Sequence, residues 1–301
     1  MAGALYILCP GQGAQTIGMG KAAFDSSPTA RELFETANRV LGFDLSSICF
    51  SGPEERLNQT DVSQPALYTC GVASFRQAIE KGLFDAAAVS AYAGLSLGEY
   101  TALHLAGAFG FEEGLNLVAA RGKYMQEAAV ASPSGMVALL GADESAARAI
   151  CEKAAGGEVL VPANFNAPGQ IVLSGSIGAC QRALVSAETA GFKATALKVA
   201  GAFHSPLMRS AANQMKTELE KVDFAAPRQP VYSNVTGQKH GDVESIKRKL
   251  VEQVISPVRW EQTMQALLAG GEGRFVELSP GRTLAGLAKR INRRLPVENL
   301  G

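Results

Sequence analysis

The sequence predicts an α/β fold: a parallel sheet covered by helices on both faces, interrupted by a small inserted βαββαβ unit. Three observations carry this prediction. Short apolar segments rich in β-formers alternate with longer segments of helical period from the start of the chain. After Ser132-Pro133-Ser134-Gly135 the order changes to strand, helix, two strands joined by a tight turn, helix and strand. Finally, a Gly-x-Ser-x-Gly pentapeptide, Gly94-Leu95-Ser96-Leu97-Gly98, stands between a predicted strand and a predicted helix. A sharp strand-to-helix turn needs such small flanking residues. With 301 residues, 47% of them hydrophobic, the chain can bury a large core.

The elements follow in order. Residues 4–9 (ALYILC) read as a first buried strand. With no basic n-region and no long apolar h-region, the N-terminus does not read as a signal peptide. Residues 29–41 and 64–81 have helical periodicity. Residues 87–93 (AAVSAYA) read as a buried strand leading to Ser96, with helices at 97–109 and 112–129. The inserted unit has strands at 136–140, 159–165, 170–174 and 195–199 and helices at 144–155 and 177–190. The turn Asn166-Ala167-Pro168-Gly169 joins its middle strands. This is the order of a ferredoxin-like subdomain, so residues 132–199 are expected as an insertion in a core made of 1–131 and 200–301. The chain then returns to helix at 206–222, a strand at 231–234, helices at 243–255 and 259–269, a strand at 275–278 and a last helix at 283–293.

The charge balance narrows the function classes. The 28 basic and 28 acidic residues cancel, so no global field draws the chain to nucleic acid or an anionic membrane. No apolar run approaches the roughly 20 residues that span a bilayer. Cys9, Cys49, Cys70, Cys151 and Cys180 are odd in number and scattered, without metal-ligand spacing. Reduced cysteines in a cytoplasmic protein, with no metal site, are expected.

Ser96 is the candidate nucleophile; the other reading is a small residue at a tight turn. At the head of a helix it would meet backbone N–H groups that favour developing negative charge. A serine hydroxyl needs a base, most often histidine, and the chain has three. His104 lies eight residues after Ser96 on the same predicted helix, about 12 Å along its axis and out of reach. His240, in GQKHGD, reads as a solvated turn residue. His204, in GAFHSPLM, follows the inserted unit where the chain re-enters the core, and is the base by elimination. Its alternative is a loop histidine packed beside Phe203. No carboxylate stands out as the third member: Asp223, Asp242 and Glu261 all lie in polar surroundings, and a backbone carbonyl could orient the ring instead. The loop PGQGAQ (10–15) is neither a phosphate cradle nor a dinucleotide fingerprint. An N–H from this loop and that of Leu97 could form an oxyanion hole.

PGQGAQ, GLSLGEY, RGKYMQEA and GAFHSPLM, with ANFNAPGQIVLSG, PVRW and ELSPGRTLAGLAKRI, occur in this order. In these motifs the chain resembles the malonyl-CoA:acyl carrier protein transacylases, acyltransferases of fatty-acid and polyketide synthesis, from the first strand to about residue 293. The resemblance implies an α/β-hydrolase-like core carrying a ferredoxin-like insertion. It implies that Ser96 is acylated, that His204 is its base, and that Gln12 and Leu97 supply oxyanion-hole N–H groups. Arg121 would hold the substrate's free carboxylate, against the plainer alternative of ending a solvated helix face. Gln253 matches the position whose main-chain carbonyl orients the histidine. Asn166 and Gln170 would line the channel, and Phe203 would narrow the acyl pocket against a methyl branch. Malonyl-CoA and a holo acyl carrier protein are the implied partners, and no metal or redox cofactor is required. In one departure, Leu95 stands where the family usually has histidine before the nucleophile, which bears on substrate range. A trans-acting acyltransferase of a polyketide synthase, a proofreading acyl hydrolase and a non-catalytic carrier-binding protein are the competing readings.

Overall fold

The computed structural model describes residues 3–300. Two four-stranded sheets organise the chain. The first is parallel, in the order β2 (Val89–Gly94), β1 (Ala4–Cys9), β7 (Gly273–Leu278), β8 (Val297–Leu300). The second is antiparallel, in the order β4 (Leu160–Ala167), β5 (Gln170–Ser176), β3 (Ser134–Leu140), β6 (Lys193–Ala196).

β1, between β2 and β7, is apolar throughout because both of its faces are covered. Leu5, Ile7 and Cys9 of β1 point into the larger cluster, with Tyr68, Phe75 and Leu117 of the helices Thr60–Glu80 and Phe111–Ala131. Tyr6 and Leu8 point the other way, onto Trp260, Met264 and Leu287. In the antiparallel sheet the alternation separates core from site. Val137, Leu139, Phe165, Ile171 and Leu173 pack under the helices Glu144–Ala155 and Ile177–Thr189. Met136, Asn164, Asn166, Gln170 and Val172 face the opposite way and line a cavity between the two sheets.

Several boundaries differ from expectation. The helix after Ser96 is Gly98–Leu105, not 97–109. Gly107, at φ 84°, ends it, and the N–H groups of Ala108 and Gly107 donate back to Leu103 and His104 in a Schellman closure. Strand 231–234 shrinks to isolated bridges of Val231 and Tyr232 beside β2 and Lys239, because Asn234 turns its amide onto Gly94 instead of continuing a ladder. β6 stops at Ala196, and Leu197, Lys198 and Val199 flank the cavity instead. The expected helix 206–222 is a 3₁₀ turn, Pro206–Met208, followed by the helix Arg209–Glu220. The helices Lys21–Ser26, Leu45–Ser51 and Glu54–Leu57 and the edge strand β8 had no counterpart in the periodicity. They are too short to display a period.

Candidate active site

The Gly-x-Ser-x-Gly turn is a strained elbow at the end of β2. Ser96 has φ 53°, in the left-handed region that costs an L-residue about 1–3 kcal/mol. The flanking glycines are needed for space. A Cβ on Gly94 would fall 1.9 Å from the carbonyl carbon of Gly98, and one on Gly98 would fall 2.1 Å from the carbonyl oxygen of Cys9. Polar contacts from distant segments hold the strain. The Ser96 N–H donates to Asn234 Oδ1 (2.5 Å), Asn234 Nδ2 to the Gly94 carbonyl (2.7 Å), and Gln253 Nε2 to the Ser96 carbonyl (3.0 Å).

Ser96 Oγ lies 2.8 Å from His204 Nε2. His204 is itself strained, at φ 58°, and only 4% exposed. Its loop is fastened by the antiparallel sheet: Ser174 Oγ donates to the Phe203 carbonyl (2.7 Å) and Ser134 Oγ accepts the Ala202 N–H (3.0 Å). His204 Nδ1 lies 2.7 Å from the main-chain oxygen of Gln253. A carbonyl can only accept, so Nδ1 carries the proton and Nε2 is left with a lone pair for the serine. Gln253 closes the helix Val243–Gln253, where carbonyls lack intrahelical partners and carry the negative end of the dipole. That gives a physical reason why no acid stands third in this array.

Arg121 is 1% exposed, on the helix Phe111–Ala131. Its Nη1 donates to Gln64 Oε1 (2.8 Å), and its Nη2 donates to Ser96 Oγ (3.0 Å) and Gln253 Oε1 (2.9 Å). The guanidinium stands over the Tyr100 ring, 5.5 Å from its centre. Burial lowers its pKa, opposed by Tyr100 and Glu99. No carboxylate pairs with it directly among the described residues. Buried arginines are almost always paired, so a cation held by neutral acceptors beside a serine hydroxyl is suited to an anionic ligand.

These groups open onto a cavity of about 670 Å³, whose wall includes Gln12, Leu95, Asn166, Gln170, Phe203 and Leu287. The amide oxygens of Asn166 and Gln170 are buried and have no partner among the described residues. Leu97 caps the helix Gly98–Leu105, and neither its N–H nor that of Gln12 donates to a protein acceptor among the described residues. Each candidate site residue therefore stands at the cavity or in contact with a residue that does.

Two expectations for the other histidines need comment. His240 is not solvated: its side chain is 2% exposed, and Nε2 lies 2.7 Å from Glu99 Oε1. The hydrophilic turn GQKHGD folds its histidine inward, because Glu99 waits as an acceptor beneath the elbow. His104 packs among Tyr68, Phe109 and Phe111, away from the cavity wall. Sequence reasoning also missed Glu99, Gln64, Asn164, Asn234 and the side chain of Gln253. Only Glu99 left a trace, as the one acidic residue in the helix that follows Ser96.

Two buried histidines make the fold acid-sensitive. His204 and His104 are each pushed down to about 4, first by desolvation. The unfolded chain protonates both as pH falls below about 6.5, whereas the folded chain takes these protons up only near 4. The unfolded state binds more protons in that window, so this stability is complete above pH 6.5 and is lost as pH falls towards 4. Each histidine contributes up to about 3 kcal/mol. The urea midpoint is expected to drop steadily between pH 7 and 4.5; a midpoint constant over that range would mean that neither histidine is buried neutral.

Comparison with known proteins identifies the family. The acyl transferase domain model matches residues 6–297. The malonyl CoA-acyl carrier protein transacylase of Bacillus subtilis (strain 168) is 41% identical over 293 residues, covering 97% of this chain and 91% of that protein. The solved transacylase of that name from Coxiella burnetii superposes with a TM-score of 0.96 at 40% identity, covering 100% of this chain and 94% of the other. A malonyl-transacylase solved in complex with a type II polyketide synthase acyl-carrier protein gives 0.94 at 38% identity, covering 98% and 95%. The α/β architecture with its separate antiparallel sheet is shared with these structures, and the chain belongs to the acyl transferase domain family, among the malonyl CoA-acyl carrier protein transacylases.

Proposed function

We propose that this enzyme transfers the malonyl group of malonyl-CoA to the phosphopantetheine thiol of an acyl carrier protein, through a malonyl ester on Ser96. The carrying observation is the placement of Arg121 Nη2 3.0 Å from the Ser96 hydroxyl, a buried cation where the acyl chain of an acyl-serine must lie. A guanidinium grips a carboxylate with two parallel hydrogen bonds, which favours malonyl over acetyl.

Ser96 Oγ attacks the thioester carbonyl while His204 Nε2 takes its proton. The N–H groups of Leu97 and Gln12 receive the developing oxyanion, a contribution of several kcal/mol in such sites. The tetrahedral intermediate collapses, and His204 returns the proton to the coenzyme A thiolate as it leaves. The carrier's thiol then repeats the sequence in reverse, its proton passing to His204 and on to Ser96. Every proton moves through His204, so the cycle requires no metal or redox cofactor. A cytoplasmic location fits this reading, since all five cysteines are free and buried. Incubating the protein with malonyl-, methylmalonyl- and acetyl-CoA and a holo carrier, then weighing both proteins, tests the proposal. Malonyl on both supports it; release to water without carrier loading would favour an acyl hydrolase.

The polyketide complex supports a second reading, in which the same chemistry serves a polyketide carrier. Preference between fatty-acid and polyketide carriers in that assay separates the two.

Leu95 tests the acyl assignment. It lines the cavity next to the nucleophile and offers no hydrogen bond. With Ser96, His204 and Arg121 already in contact, Leu95→His is expected to change kcat/KM for malonyl-CoA by less than about tenfold, or ~1.4 kcal/mol. A rescue of about a hundredfold from a poor wild type would mean that the pocket is tuned to another acyl group.

A further inference from the structure

Beneath the elbow lies a polar cluster that does not reach the cavity wall. The Glu99 side chain is fully buried. Its Oε2 accepts from the Asn234 N–H (2.9 Å) and Gln253 Nε2 (2.8 Å), and its Oε1 accepts from His240 Nε2 (2.7 Å). With Nε2 donating, His240 Nδ1 lacks a partner. All three contacts use the Glu99 carboxylate as an acceptor.

The Gln253 amide connects this carboxylate to Arg121. Its nitrogen points at Glu99 and its oxygen accepts from Arg121 Nη2 at 2.9 Å. An amide has two unlike ends, and a carboxylate can only accept. Glu99, together with the Ser96 carbonyl that accepts from the same nitrogen at 3.0 Å, therefore sets the polarity of the amide, and a reversed amide would turn its NH₂ group against Arg121.

We propose that Glu99, seated by His240, is a positioning residue for substrate selection: acting through the Gln253 amide, it fixes Arg121 beside Ser96 and supplies the guanidinium's counter-charge while no substrate carboxylate is bound. The inference rests on the malonyl-transfer reading.

Glu99→Gln preserves volume but can offer its own NH₂ to Gln253, releasing the polarity. The test is a double-mutant cycle with Arg121→Ala, scored by kcat/KM for malonyl- and acetyl-CoA. Glu99→Gln is expected to lower malonyl kcat/KM about tenfold or more in the wild-type background and little in Arg121→Ala, since contacting networks couple. Acetyl kcat/KM should move much less. Equal losses in both backgrounds, or equal losses for both substrates, would show a general structural role and overturn the proposal. Should Glu99→Gln not fold, His240→Gln carries the same test. It unseats the carboxylate, so the malonyl-to-acetyl ratio should fall about threefold with Arg121 present and stay constant without it; an unchanged ratio overturns the proposal. If the wild type itself were not malonylated, the transfer reading would fail first, and separately.

Discussion

Ser96→Ala is expected to take up no acyl group from malonyl-CoA, whereas the wild type is expected to gain the mass of one malonyl group. The hydroxyl at the apex of the elbow is the only group removed, and Asn234, Gln253 and the paired glycines still hold the turn. The variant therefore folds, with a stability change of about 1 kcal/mol as His204 and Arg121 lose one hydrogen-bond partner each. His204→Ala keeps the hydroxyl but removes its proposed base, and acyl-enzyme formation is expected to fall by roughly 10³-fold or more. The wild-type rate should itself be flat above about pH 5, since His204 is pushed down to about 4 and stays an acceptor there. His104, buried among aromatic rings, is the control: its substitution affects stability and not the chemical step. Intact-mass and peptide-mapping measurements decide the matter, and an adduct persisting in Ser96→Ala would sink the nucleophile assignment.

Arg121→Ala separates substrates that differ by one carboxylate. Its loss leaves a buried anion unpaired at the acyl site, a cost of about 3–4 kcal/mol that corresponds to 10²–10³-fold in malonyl kcat/KM. Acetyl-CoA brings no anion, so its kcat/KM should change by less than about tenfold. Arg121→Lys keeps the charge but not the planar fork that meets Gln64, Gln253 and Ser96 together, and should fall between the two. Parallel loss of both activities would point to a collapsed site and remove the argument for carboxylate selection.

Much of this was legible in the chain. Where a strand is buried on both faces, its residues must be apolar throughout, and β1 was read to the residue for that reason. The helix Glu144–Ala155 has the bounds expected of it, and the structure shows the local signals that fix them: Asp143 caps its start and Gly156, in the left-handed region, ends it. Short helices such as Glu54–Leu57 were missed because four residues hold barely one turn of period. His240 was misplaced because its neighbours are polar, and polarity of neighbours does not say which way one side chain turns.

By itself, the sequence determined the layers, the inserted unit and the elbow. All three are written in local patterns of size and polarity that the backbone must obey wherever it ends up. Only the tertiary structure decided which groups meet at the cavity and beneath the elbow. His204 reaches Ser96 across 108 positions, His240 reaches Glu99 across 141, and Gln253 reaches the Ser96 carbonyl across 157. Periodicity records that a residue is buried, but hydrogen bonds between distant segments depend on how sheets and helix ends pack, and no local pattern carries that information.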